Sequence, residues 1–498
     1  MSIADLVRDL ERRGVELAVD GEALTMRAPK GALADHDREA LRLRKGEILA
    51  WLKGEAAEAD AGSFPLTDIQ EAYLVGRAAE LELGRVGCHA YREFEADSYD
   101  LARLEDAWNR LVRRHPMLRA VFTGDRQQVL PEVPHYRIEV SDLRGDPEAA
   151  PKLDAIRAER SHHVFDPAGW PLFDIRATLL DDRVRLHVGV DLLIADAVSL
   201  VQLFQEWSAL TNDPDTVLPA PEASFAQHCR ALARRGAGAA EAYWQARLPT
   251  LPGGPDLPRR KLDGPPRFTR HTHRIPAASW AGLKEAARQR GITPSALLAT
   301  AYGDILAAFS RQPGFLIVLT TFAAPPGMAN VVGDFTSTIL LEMDSTPASF
   351  AERAATLQKR LAQDLDHAAM SGVRVMRELR RHRPDITPAT AVFTSTLGHQ
   401  VLGGRSPLAW LGRTVHAITQ TPQVAIDHHV LEEEGDLLAS WDVVADLFPA
   451  GVVGSMFAAY RRLLERLASG EGWSGGVDAA VDVPPRPAPA VAFAPEPL

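Results

Sequence analysis

The sequence predicts an α/β (α+β) protein, and three observations predict it. Arg183–Val190 alternates, with Val184, Leu186, Val188 and Val190 on one side, which is the period of a strand with one face in a core. Just beyond it, Leu200-Val-Gln-Leu-Phe-Gln-Glu-Trp207 carries apolar residues at helical spacing. Pro-rich stretches at 212–221 and 248–266 bracket a helical segment through Tyr243 and Trp244, and so divide the larger part of the chain into two halves.

The length of 498 residues allows about three units. Hydrophobic residues at 46% and charged residues at 24% place the chain among globular proteins. A net charge of −11 argues against a nucleic-acid partner, because phosphate binding needs a basic face. Two cysteines, Cys88 and Cys229, give no disulfide framework and suit a reducing cytoplasm, where the protein is expected. Met1–Asp9 has no apolar signal region, and no run of about 18 apolar residues predicts a membrane span.

Taken in order, Ile3, Leu6, Val7 and Leu10 recur at helical spacing, predicting a helix from about Ser2 to Arg13 that ends near Gly14. Val15–Val19 and Ala23–Arg27 flank Asp20-Gly21, a hairpin signal. Asp35–Leu52 predicts one or two short helices with Leu41, Leu43, Ile48, Leu49 and Trp51 on the apolar side. A unit of this size, 1–54, would gain from dimerising. Residues 55–63 are acidic, small and aperiodic, and predict a linker.

In the larger part, Phe64-Pro65 predicts an extended entry, and Thr67 or Asp68 caps the helix that follows. Leu101–Val112 is amphipathic, and His115 before Pro116 predicts a structural helix end. At Asp191-Leu-Leu-Ile-Ala-Asp196-Ala-Val-Ser199 two carboxylates and a hydroxyl fall where a strand gives way to a helix. Two readings stay open there. Asp191 ends the strand and Asp196 caps the helix, or the three line a site at the junction. Thr293 with Pro294 at the first helical position is a helix start. Thr338–Met343, Ala391–Leu397 and Thr421–Asp427 predict strands. The Pro- and Ala-rich segment 474–498 predicts a disordered tail.

These motifs carry a resemblance. Asp191-x4-Asp196-x2-Ser199 resembles the signature of heterocyclization domains of nonribosomal peptide synthetases, which replaces the His-His-x3-Asp-Gly of ordinary condensation domains. Phe64-Pro-Leu, Gln70, Ala72-Tyr73 and Gly76-Arg77 resemble that family's opening, and Arg114-His115-x2-Leu118 its next segment. Gly333-Asp334-Phe335-Thr336, Val392-Phe393-Thr394-Ser395 and Thr421-Pro422-Gln423-Val424-x-Ile426-Asp427, with Trp441-Asp442 after it, resemble the family's later motifs in order. Gly124-Asp-Arg-Gln-Gln128 departs from the usual Asp-Gly-x-Gln, within a turn. Residues 1–54 resemble the αββαα docking domains of synthetase assembly lines.

The resemblance implies two chloramphenicol-acetyltransferase-like lobes in a V-shaped pseudo-dimer, at 64–225 and 226–473. It implies upstream and downstream peptidyl or acyl carrier proteins as partners, which bring phosphopantetheine arms to a chain that binds no cofactor of its own. The docking domain, homodimeric by the same resemblance, would receive the C-terminal tail of an upstream synthase, with Arg27 and Lys30 able to attract an acidic one. The implied reaction condenses an acyl thioester with a cysteinyl, seryl or threonyl thioester, then cyclises and dehydrates the amide to a thiazoline or oxazoline. Asp427 is implied as acid–base catalyst and Thr394 as the group that positions water or hydroxyl. An aspartate of pKa ~3.9 starts as a base at neutral pH and turns acid once it has accepted a proton. Asp191, Asp196 and Ser199 would shape the site, with Asp196 paired to a buried arginine such as Arg176. Ser395, Gln423, Asp334 and Thr336 are candidates to line the passage. An amide-forming condensation domain and a non-catalytic recruitment platform are the alternatives.

Two stretches are set aside. His162-His163-Val-Phe-Asp166 is one residue short of the condensation motif and lies ahead of the Asp191 strand. Gly403-Gly404-Arg405-Ser406 looks like a phosphopantetheine attachment site, but Pro407 sits where the helix must run. No metal is expected, since adjacent His428 and His429 on a strand point to opposite faces.

Overall fold

The computed structural model describes residues 6–7, 9–10, 13–20, 23–29, 32–49, 62–322, 324–328, 330–347, 349–398 and 407–477. Lys30, the linker up to residue 61, the Gly403–Ser406 stretch and the tail from 478 lie outside them. Contacts divide the chain into two units. One holds Met1–Glu241, Thr321–Ser337 and His399–Gln423; the other holds Ala242–Thr320, Thr338–Gly398 and Val424–Leu498. The crossing thus falls at Glu241/Ala242 rather than after residue 225, and two later segments return to the first unit.

The N-terminal part of the first unit has the expected order. Positions 6–7 and 9–10 are helical, and Gly14 takes a positive φ of 79° where the segment ends. Strands β1 (Glu16–Asp20) and β2 (Ala23–Arg27) pair antiparallel, and the helix Asp35–Leu43 follows. Leu6, Val7, Leu10, Val15, Leu41 and Ile48 form their own small core. Arg13 donates to Asp37 at 2.7 and 2.9 Å across it.

Beyond it come β3 (Ser63–Pro65), β4 (His89–Ala96), β5 (Ala120–Thr123), β6 (Arg126–Val129), β7 (Glu139–Asp142), β8 (Phe173–Leu179) and β9 (Val184–Asp191). β3, β6 and β5 make a small antiparallel sheet. The main sheet runs β14-β4-β9-β8-β7, where β14 is Arg413–Gln420, a late strand laid antiparallel on β4. The alternation of β9 sends Leu186, Val188 and Val190 into a core with Phe173, Trp108 and Trp207. Trp108 packs edge-on against Trp207 and Phe173 at 4.9 and 5.2 Å between ring centroids. His115 ends its helix as expected, bonded through Nε2 to Glu206 at 2.7 Å.

The second unit is built on β10 (Phe268–Ile275), β11 (Gly314–Phe322), β12 (Thr336–Asp344), β13 (Ala391–Ser395), β15 (Ile426–Glu433) and β16 (Asp436–Val444). Their order is β10-β16-β15-β13-β11-β12. β13 runs parallel to both β11 and β15, while β16 is antiparallel to its neighbours. The helix Pro294–Phe309 starts as predicted, with Thr293 Oγ1 accepting from the Ala296 amide at 3.3 Å. The predicted strand over 421–427 begins only at Ile426. Gln423 before it holds a φ of +64°, which a strand cannot contain.

Among the described residues, desolvation acts strongly on four histidines, His89, His187 and His228 in the first unit and His428 in the second. His428 bonds the Ser440 carbonyl at 3.2 Å and the Tyr460 hydroxyl at 2.8 Å. His187 bonds Tyr91 and Thr178. Burial pulls His428 and His89 down to about 3, and His187 and His228 down to about 4. Below the ordinary histidine value of about 6.5 the unfolded chain therefore takes up protons that the folded chain refuses, so stability falls with acid. At about pH 5 each should cost roughly 2 kcal/mol. Urea unfolding at about pH 5 and pH 7.5 should show the midpoint dropping sharply, and H428F should remove part of the drop. Equal midpoints at both values would contradict this.

Candidate active site

Asp191 is the last residue of β9 and is fully buried. Arg77, just past the helix Asp68–Gly76, reaches both its oxygens at 2.8 Å, and the Leu193 amide donates to Oδ1 at 3.0 Å. Burial raises the Asp191 carboxyl, and the Arg77 charge opposes that rise. The arginine pair thus belongs to Asp191. Asp196 was expected to hold it with Arg176, and this is corrected: Arg176 pairs with Asp174 and Glu139.

Asp196 instead caps the helix Ala197–Asn212, accepting from the Ser199 amide at 2.7 Å. Its second oxygen accepts from the Phe335 amide at 3.2 Å. Ser199 Oγ donates to the Gly333 carbonyl at 2.8 Å, and the Gly333 amide donates back to that hydroxyl at 3.2 Å. Asp196 and Ser199 therefore clamp the Gly333–Phe335 turn. That turn requires glycine, because a Cβ at 333 would stand 2.2 Å from the Phe225 ring. Asp334 is buried there with Oδ1 accepting from the Thr336 amide at 3.1 Å. Burial, with Asp196 close by, pushes its carboxyl well above the usual range. Gln423 anchors another junction: its side chain donates to Gly76 O at 3.1 Å and its amide to Leu83 O at 3.2 Å.

The second unit holds Thr394 and Asp427 on one face of its sheet. Directly paired residues share a face, and the registers define two rows. One is Val318, Val392, Asp427, Asp442 and Arg270; the other is Thr320, Thr394, His429, Ser440 and Thr272. Thr394 and Asp427 are diagonal neighbours on parallel strands, with Cα atoms roughly 8 Å apart by strand spacing and rise. Both are buried, at 7% and 4% exposure. Thr394 shares a hydrogen bond with Thr320 at 3.0 Å. Arg270 grips both oxygens of Asp442, with Nε at 2.7 Å from one of them. His429 Nε2 lies 3.3 Å from Asp427 and 3.6 Å from Asp442.

The opposite face carries Phe393, His428 and Trp441, packed with Tyr302 and Tyr460. Ser395 turns that way and meets Ser295 at 2.9 Å. Ser395 therefore lies on the opposite face of the sheet from Thr394 and Asp427. Thr396 donates to the Val430 carbonyl at 3.2 Å. Among the described residues no group of three His, Cys, Asp or Glu side chains is arranged to hold a metal.

Arg77, His429, Asp442 and Arg270 were not singled out by sequence as site residues. His429 had a legible signal, since it lies two along from Asp427 on a strand. Arg270 sits in the polar strand Phe268–Ile275 with no motif around it.

Comparisons with known proteins bear on this arrangement. Residues 61–470 match the condensation-domain family, and residues 3–54 match the TubC N-terminal docking domain. The chain also superposes on the EpoB cyclization-docking bidomain of Sorangium cellulosum, with a TM-score of 0.77 and 34% identity, over 95% of this chain and 100% of that one. The chain belongs to the condensation-domain family, in its cyclization-docking form. Within that family it is 37% identical, over 98% of its length, to the pyochelin synthetase PchF of Pseudomonas aeruginosa. It is 37% identical over 84% of its length to the phenyloxazoline synthase MbtB of Mycobacterium tuberculosis. The chain spans 28% of PchF and 31% of that MbtB. Among the described residues no helix is long and apolar enough to cross a membrane.

Proposed function

We propose that this cyclization-docking chain joins two carrier-bound thioesters and closes the new amide into a thiazoline or oxazoline. The observation that carries the reading is the buried pair of Thr394 and Asp427 on one sheet face, in a chain that aligns end to end with a cyclization-docking bidomain. In the first step the amine of a cysteinyl, seryl or threonyl thioester attacks the upstream acyl thioester and the upstream carrier thiol leaves. Holding two thioesters in register supplies much of that step. In the second, the side-chain thiol or hydroxyl adds to the amide carbonyl. In the third, nitrogen loses its proton and the former carbonyl oxygen departs as water.

The later steps need proton transfer in both directions. A carboxylate serves by accepting a proton and then giving it to the departing hydroxyl. Asp427 fills this role, and Thr394 holds the water or hydroxyl by a hydrogen bond. Asp191, Asp196 and Ser199 hold their own unit in shape by fixing the strand end and the Gly333–Phe335 turn. The phosphopantetheine arms come with the carriers. The test is a single-turnover reaction with both carriers loaded. A product one water lighter than the amide supports ring formation; the amide mass alone would leave an ordinary condensation domain, and no transfer a recruitment platform.

The N-terminal domain would receive the C-terminal tail of an upstream synthase, added as a strand beside the β1–β2 hairpin, and would pair with its own copy. Arg27 is exposed on β2 and suits an acidic tail. R27E should weaken tail binding about fivefold, or about 1 kcal/mol, the scale of one exposed ion pair. Fluorescence anisotropy with labelled tail peptides measures this, and unaltered affinity would remove Arg27 from the interface.

A further inference from the structure

We infer that His429 is a positioning residue for the reaction, an imidazolium set between Asp427 and Asp442 that keeps Asp427 ionised and aimed. The inference rests on the acid–base role proposed for Asp427 and adds what maintains it.

The geometry demands a bridging charge. Asp427 on β15 and Asp442 on β16 are direct cross-strand partners. Both are buried, at 4% and 0% exposure. Like charges placed opposite one another on a sheet repel, and burial strengthens that repulsion. Arg270 on β10 holds both oxygens of Asp442, and its charge also acts on Asp427. A second cation beside two buried carboxylates lowers their repulsion further. His429 supplies it from the same strand as Asp427, two residues on, within ion-pair distance of both carboxylates. Its register partners on either side, Thr394 on β13 and Ser440 on β16, are hydroxyls and bring no charge. With His429 protonated, two carboxylates face one guanidinium and one imidazolium, and the cluster is neutral. Burial pulls the imidazole down, but Asp427 and then Asp442 outweigh it and hold His429 above the ordinary histidine value.

His428 on the adjacent position shows the contrast. It faces Tyr460 and the Ser440 carbonyl on the other side of the sheet and is held neutral. Alternation therefore gives two neighbouring histidines opposite charge states, and the charged one stands beside the carboxylate of the proposed chemistry.

The test compares wild type, H429Q and D427N in single-turnover reactions with loaded carriers across pH, reading the ratio of cyclised to linear product. Glutamine keeps polarity and bulk without the charge. The acid limb of that ratio should move up by about 1–3 pH units in H429Q, the scale of removing one opposite charge at this distance. Lysine at 429 should restore the wild-type limb. Imidazole NMR, with the His429 signal assigned by its loss in H429Q, should show a charged ring at neutral pH in wild type and a lower titration in D427N. D427N without ring formation but an H429Q profile superimposed on wild type would overturn the role of His429 alone. A neutral His429 ring at neutral pH would do the same, even where H429Q does not fold. Ring formation surviving in D427N would sink the assignment of Asp427, and the role of His429 with it.

Discussion

Replacing Asp427 with alanine is expected to stop the ring while sparing the amide. Joining two thioesters relies chiefly on holding them together, and Asp427 adds little to that. Cyclisation and loss of water each move a proton, and a positioned carboxylate is worth ~10²–10⁴-fold in such steps. The linear amide should therefore accumulate on the downstream carrier, one water heavier than the wild-type product. The side chain sits between Val392 and Asp442 in its sheet row and beside His429, so truncation removes a proton carrier from a polar cluster. Mass spectrometry of the carrier-bound product reads the split directly. Loss of both products in a folded D427A protein would place Asp427 in the first step as well.

The second large effect lies in the first unit. R77A should destabilise the protein by roughly 3–5 kcal/mol, because it strips the partner from a carboxylate with no exposure of its own. The sign of its pH dependence follows from Asp191. Burial already raises that carboxyl, and losing Arg77 raises it further. A raised carboxyl holds its proton in the folded state, so its stabilising share is present at low pH and is lost as pH rises through the folded value. The penalty of R77A should thus be larger near pH 8 than near pH 5. Denaturant titrations of both proteins at the two values test this. A loss independent of pH would show that Arg77 acts through packing instead. D196A should behave differently, costing about 1 kcal/mol as a lost helix cap and loosening the Gly333–Phe335 turn.

Much of this was legible in the chain. The alternation in β9, the Asp196 cap, the Thr293-Pro294 helix start and the hairpin at residue 20 are local patterns, and each forms as its residues dictate. Strand β14 was not legible. Its partner β4 lies more than three hundred residues away, and Arg413–Gln420 alternates only weakly. The partner of the buried carboxylates was misread for a similar reason. Spacing shows that a buried aspartate needs a cation but not which arginine the fold delivers, and Arg77 arrives from the end of a distant helix. Thr394 and Asp427 were found through motif resemblance, while their shared face follows from strand register. His429 shows the reverse case, since alternation alone puts it with Asp427 once Ile426–Glu433 is known to be a strand.

The central claim is that the polar sheet face of the second unit performs the ring-closing half of the reaction. Supplying the preformed linear amide, already attached as a thioester to the downstream carrier, bypasses the first step altogether. Wild type should convert it to the ring with loss of one water, and D427A should leave it unchanged over the same period. Conversion by D427A at the wild-type rate, or no conversion by wild type, would contradict the account.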